Sequence, residues 1–163
     1  MKTENGFTLI ELITVMLLIG ILSVVAFSRF SDTSVYRQAL FISKVQVYLR
    51  LAQQISMSQQ PPNRALAVTV FSLQQTSDSQ WAVMISNHNG SQSYLLDSRA
   101  ELQIDKQTLS QDSALELTFD SRGDLKTMVS PKALNITHSI ALQAGKNSIC
   151  IAPTGYSYEG QCI

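Results

Sequence analysis

Residues 7–27 read FTLIELITVMLLIGILSVVAF, a run of 21 residues with one ionisable side chain, Glu11. As an α-helix the run would be about 31 Å long, close to the hydrocarbon thickness of a bilayer. Only 136 residues follow Phe27, too few to bury such a segment on all sides. The run therefore predicts a membrane-inserted N-terminus. The whole chain has 163 residues, which suits one domain. Hydrophobic residues make up 45% and charged residues 15%, against intrinsic disorder. Two cysteines exclude a disulfide-dense mini-protein.

The formal net charge is zero, with 12 basic and 12 acidic side chains, which argues against a strongly basic nucleic-acid binder. That zero hides a division. Residues 7–64 carry five basic and two acidic side chains, net +3; residues 65–163 carry six basic and nine acidic, net −3. A basic half and an acidic half suggest stacking of copies, basic helix against acidic head.

Three kinds of membrane segment fit the apolar run. A cleaved secretory signal usually has a shorter apolar region behind a positive start. Here the run is long and the start holds one Lys and one Glu, although Val24-Val25-Ala26 would pass as a cleavage site. An ordinary single-pass anchor is the second reading. Neither explains Glu11, because an acid within a spanning helix costs about 2.5–3.5 kcal/mol at the centre and less near an end. Such a residue normally has a partner, unless it snorkels to the headgroups. The third reading takes Asn5-Gly6-Phe7-Thr8-Leu9-Ile10-Glu11 as a unit.

The segment G-F-T-L-I-E-L resembles the class III signal of type IV pilins and type II secretion pseudopilins. The resemblance implies cleavage between Gly6 and Phe7 by a prepilin peptidase on the cytoplasmic side. Phe7 would then become the methylated N-terminus, and Glu11 the acid at the fifth mature position. The physics suits the spacing, since Glu11 lies one helical turn from the Phe7 amine. A buried amine and a buried carboxylate are each costly alone. Paired between neighbouring subunits, they offset one another and fix axial register. The positive-inside rule leaves orientation open, with Lys2 before the span and Arg29 and Arg37 after it. The leader implies a cytoplasmic N-terminus and a periplasmic head.

Beyond the span, Val35, Ala39, Ile42, Val45, Leu49 and Ala52 form an amphipathic stripe. Leu40, Phe41, Val47, Tyr48, Leu51 and Ile55 widen it, while Arg37, Lys44 and Arg50 can stay exposed. Ser31-Asp32-Thr33 could recap the helix, and Pro61-Pro62 ends it. Residues 7–60 thus predict one helix of roughly 75–80 Å. The period then changes to two. Strands are expected at 65–73, 80–86, 93–97, 115–119, 135–142 and 148–151, with turns at 75–79, 87–90 and 121–124 and a polar loop at 105–113. The expected fold is α+β: a long N-terminal helix packed on a mostly antiparallel β head. The divisions are a leader at 1–6, a transmembrane or filament-core helix at 7–27, its amphipathic continuation at 28–60, and a β-rich head at 61–163.

The head extends the resemblance. Phe119-Asp120-Ser121-Arg122-Gly123 is similar to the F-D-x-x-G turn of GspH/FimT-like minor pilins. Residues 149–156, ICIAPTGY, are similar to their closing strand with its Thr-Gly turn. Ala26-Phe27-Ser28-Arg29-Phe30 resembles the A-x-x-R-F of pilins of the mannose-sensitive haemagglutinin (MSHA) pilus. Ser28 stands where relatives often have Pro, which puts a kink there in doubt. The resemblance implies a minor pilin inserted in the inner membrane and then built into a filament. Its partners would be other pilin subunits, the prepilin peptidase/methyltransferase, the inner-membrane assembly platform and membrane lipid. The H-type pseudopilin of type II secretion and a plain membrane-anchored binding module are the alternatives.

A head outside the cytoplasm permits a disulfide between Cys150 and Cys162. Two free thiols or a zinc pair are the other readings, and zinc is poorly served by His88 and His138, which lack ligand spacing. No metal or other cofactor is expected. A hydrolase would need a nucleophile beside a base; there is no G-x-S-x-G, so no enzyme is expected and no catalytic residue is assigned. Asp120 and Asp124 lack the ligand series of a calcium loop. Arg122 and Lys126 could touch an anion or DNA, but the acidic head argues against a broad nucleic-acid patch.

Overall fold

The computed structural model describes residues 8–30, 33–59, 68–130 and 134–163. The leader, with Gly6 and Phe7, lies outside them, as do Ser31, Asp32, Pro61 and Pro62. The chain divides into two compact units, Met1–Ser34 and Val35–Ile163. The predicted helical continuation past Val35 thus belongs to the same unit as the head.

In the first unit, helix α1 runs Leu9–Phe30, 22 residues, and its assignment is unbroken at Ser28. Its described side chains, Leu9 to Val24, are all exposed. The hydroxyls among them are satisfied within the helix: Thr14 donates to the Glu11 carbonyl at 2.9 Å and Ser23 to the Ile19 carbonyl at 2.7 Å. Among the described residues no helix is long and apolar enough to cross a membrane. The span expected at 7–27 extends past the described side chains at both ends.

Helix α2 (Thr33–Ser58), which belongs to the second unit from Val35 onward, lies there against two antiparallel sheets. The first sheet is formed by β1 (Thr69–Ser77), β2 (Gln80–Asn87), β3 (Gly90–Asp97), β6 (Ala114–Phe119), β7 (Leu125–Ser130) and β8 (Leu134–Asn135), in the order β3-β2-β1-β6-β7-β8. The second contains β4 (Gln103–Ile104), β5 (Gln107–Thr108), β9 (Ile140–Ala144), β10 (Asn147–Ile151) and β11 (Ser157–Glu159), in the order β11-β10-β9-β4-β5. Alternation puts Phe71, Leu73, Trp81, Val83, Ile85, Leu115, Leu117 and Phe119 on one face of the first sheet, all buried. Phe41, Ile42, Val45, Leu49 and Ala52 of α2 close the same core. Phe41 meets Trp81 with ring centroids 5.5 Å apart, and Tyr48 meets Tyr94 at 4.6 Å.

Several expectations are corrected. Val35, Leu40 and Val47 are exposed, so the packed stripe is narrower than the apolar content of α2 suggested. The segment at 105–113 is not all loop: β4 and β5 pair across a turn at Asp105 and Lys106, both at positive φ. The strand expected at 135–142 is two strands in different sheets, with His138 exposed in the connection. β7 and β11 were not anticipated. β1 runs on to Ser77, because its polar end still pairs with β2, Gln75 opposite Trp81.

Candidate functional site

The N-terminal motif is described from Thr8 onward. The Thr8 amide donates to the Glu11 carboxylate at 3.0 Å and the Thr8 hydroxyl to the same oxygen at 2.9 Å. The Glu11 amide donates back to the Thr8 hydroxyl at 3.4 Å. This is a capping box, which satisfies donors that the first turn of a helix otherwise leaves open. Glu11 therefore has a local partner within its own chain. The T-x-x-E spacing ahead of an apolar run was a legible mark of it, although the residues alone had suggested only an intersubunit partner or the headgroups.

The two head motifs come together. The turn Asp120–Gly123 closes through the Gly123 amide donating to the Asp120 carbonyl at 2.8 Å. The turn at 152–155 closes through the Gly155 amide donating to Ala152 at 2.8 Å. Between them, the Leu125 amide donates to the Pro153 carbonyl at 2.8 Å. Gln53 of α2 clamps both, its Nε2 donating to the Gly123 carbonyl at 3.1 Å and the Thr154 carbonyl at 2.9 Å. Gly155 has a φ of 76°, and a Cβ there would lie 2.0 Å from the Gly123 oxygen. Only glycine suits both the backbone and the space.

Neighbouring donors complete the seam. Gln46 and Arg50 both donate to the Ser157 carbonyl, at 3.1 and 3.0 Å, and the Ser56 hydroxyl donates to the Asp120 carbonyl. The Arg50 guanidinium also sits 5.7 Å from the Tyr156 ring centroid. Polar side chains on one face of α2 thus answer the carbonyls of Asp120 and Gly123 in the first turn, Thr154 in the second and Ser157 just beyond it. No motif marks Gln46 or Gln53 in the sequence.

Asp120 is the electrostatic centre of its turn. Its Oδ1 accepts the amides of Arg122 and Asp124 at 2.9 and 3.0 Å. Its Oδ2 faces the Lys126 ammonium at 3.1 Å and the Arg122 guanidinium at 3.5 Å. Arg122 also reaches Asp124 at 3.2 Å. Partial burial raises the Asp120 carboxyl, but the Arg122 amide, the Lys126 ammonium and the Asp124 amide together outweigh it and hold the carboxyl below its ordinary range. Both oxygens are taken by donors of this chain, so the turn reads as a self-satisfied Asx turn. Among the described residues no group of three or more His, Cys, Asp or Glu side chains is placed to hold a metal ion. His88 is exposed in the β2–β3 turn.

Cys150 and Cys162 form a disulfide, with Cα atoms 5.1 Å apart. Cys150 is buried on β10, opposite Tyr158 of β11, and the bridge ties the last residues to that hairpin.

Residues 1–27 match the family model described as the prokaryotic N-terminal methylation motif. The motif supports a protein of the type IV pilin or pseudopilin kind. In general it implies dealings with a prepilin peptidase and with other pilin subunits. No curated protein and no solved structure matches the chain.

Proposed function

We propose that the chain is the precursor of a minor pilin of an MSHA-like type IV pilus, of the MshC type. The observation that supports the pilin-like part of this reading is the methylation motif at residues 1–27. The protein is inserted in the bacterial inner membrane with its N-terminus in the cytoplasm and its head in the periplasm. Cleavage after Gly6 frees the Phe7 amine, which is methylated. The apolar helix anchors the monomer, then exchanges lipid for neighbouring helices as the filament forms. Glu11, held by Thr8 at the helix start, registers the subunit against a neighbour's N-terminal amine. The role is structural rather than catalytic, and the filament serves surface attachment.

The A-x-x-R-F at 26–30 favours the pilus over an H-type pseudopilin of type II secretion; a deletion that abolishes secretion and spares piliation reverses that choice. Mass spectrometry of the N-terminus of protein made with its prepilin peptidase tests the reading as a whole. A start at N-methylated Phe7 is expected. An intact Met1 overturns it in favour of a membrane-anchored binding module, and a start at Phe27 in favour of a cleaved secretory signal.

A further inference from the structure

Helix α2 has two unlike sides. Its inward side closes the core of the head. On the outward side, Tyr36, Arg37, Leu40, Lys44 and Val47 fall within about 100° of arc at 100° per residue. Tyr36 is 71% exposed, Leu40 43% and Val47 62%, with Arg37 and Lys44 also exposed. No carboxylate occurs anywhere in α2. Among the described residues neither Arg37 nor Lys44 has an ion-pair partner. The third cation of the helix, Arg50, is already committed to the Ser157 carbonyl and the Tyr156 ring.

We infer that this outward side rests on the anionic headgroups of the membrane before assembly. The inference depends on the membrane-anchored reading above. Tyr36 lies six positions after Phe30, the last residue of α1. Six residues of chain reach at most about 20 Å, so Tyr36 and Arg37 cannot lie farther than that from the end of α1. An aromatic with a polar tip, cations beside it and aliphatic residues between them match the interface of a bilayer, apolar below and charged above. Each cation near an anionic surface shifts the balance toward the surface about fivefold, and two shift it roughly 30-fold. The head, net −3 over residues 65–163, is repelled by the same surface. The contact is therefore confined to the helix.

Fluorescence quenching of the full chain in lipid nanodiscs tests this. The only native tryptophan, Trp81, is buried and supplies a constant background. Tyr36→Trp is examined in discs of phosphatidylglycerol with phosphatidylethanolamine, or of phosphatidylcholine alone, each carrying a spin-labelled lipid near headgroup depth. Quenching is expected in the anionic discs, and it should fall to the phosphatidylcholine level in high salt or with Arg37→Glu and Lys44→Glu added. The charge-reversed protein must keep the parent's unfolding midpoint, which the exposure of both residues leads one to expect. A second probe, Leu17→Trp in α1, reports insertion in parallel discs whose spin label sits near mid-bilayer depth, because Leu17 is at the middle of the 7–27 run. If Leu17→Trp is quenched and Tyr36→Trp is not, the inference falls and the anchored reading stands. If neither is quenched, both fall. Quenching indifferent to lipid charge, or shielding that requires several copies per disc, also overturns it, the latter in favour of a neighbouring subunit.

Discussion

Alanine at position 155 would drive a methyl group into the seam between the two head turns. The cost has two sources. The backbone at Gly155 is left-handed, with φ at 76°, and a non-glycine residue there costs about 1–2 kcal/mol. The new Cβ would also meet the Gly123 carbonyl oxygen at 2.0 Å. That atom is backbone, fixed by the Gln53 hydrogen bond, and overpacking of this kind costs a further 1–3 kcal/mol or so. Gly145 provides the control. Its φ of 60° carries a similar backbone penalty, but its Cβ would meet only the end of the Gln38 side chain, which can swing away. Gly155→Ala should therefore exceed Gly145→Ala by about 2 kcal/mol. With a urea slope of about 2 kcal/mol per molar, that separates the midpoints by roughly 1 M. Urea unfolding followed by the fluorescence of buried Trp81 reads the difference. Equal midpoints would refute the claim that the seam is closed by backbone contact.

Three further outcomes are expected. Reducing the Cys150–Cys162 bridge, which spans 12 positions, should lower unfolding stability by about 3 kcal/mol; a change under about 1 kcal/mol would show that the tail is held by other contacts. Asp120→Asn should cost about 1 kcal/mol at neutral pH. Because the folded carboxyl lies below its ordinary 3.8, its stabilisation is complete above that value and disappears as pH falls through the lower folded one. The gap between variant and parent should thus narrow in acid, and a constant gap across the same titration would refute the assignment. Glu11→Gln can still cap the helix but carries no charge. It should remain processed and membrane-bound yet assemble poorly, and filaments at parental levels would remove the registration role.

Much of the head was visible as alternation. Leu115, Leu117 and Phe119 point inward as a period of two requires. β7 was hidden because its pairing with β6 shifts register twice. Its buried residues, Leu125 and Met128, are three apart and mimic a loop. The β4–β5 hairpin was hidden because Asp105 and Lys106 take positive φ without the Asn-Gly or Asp-Gly pair that usually announces such a turn. Leu40 and Val47 misled for a different reason. Apolar residues on α2 occur on both sides, so hydrophobicity alone could not say which side the sheets would cover. At the candidate site, Thr8 was readable from its spacing to Glu11, whereas Gln53 acquires meaning only when two distant turns present carbonyls to it.

The polar ties of α2 also order events in time. Gln46 is 111 residues from Ser157 in sequence, and Gln53 is 101 from Thr154. The helix is thus made more than 100 residues before these carbonyl partners. At synthesis rates of about 5–20 residues per second, the interval is several seconds or more. For that interval α2 has its polar side chains in place and none of the carbonyls they will meet. The ties of Gln46 and Gln53 are thus among the later contacts of the head to form, and until they do the two turns have only each other to close against.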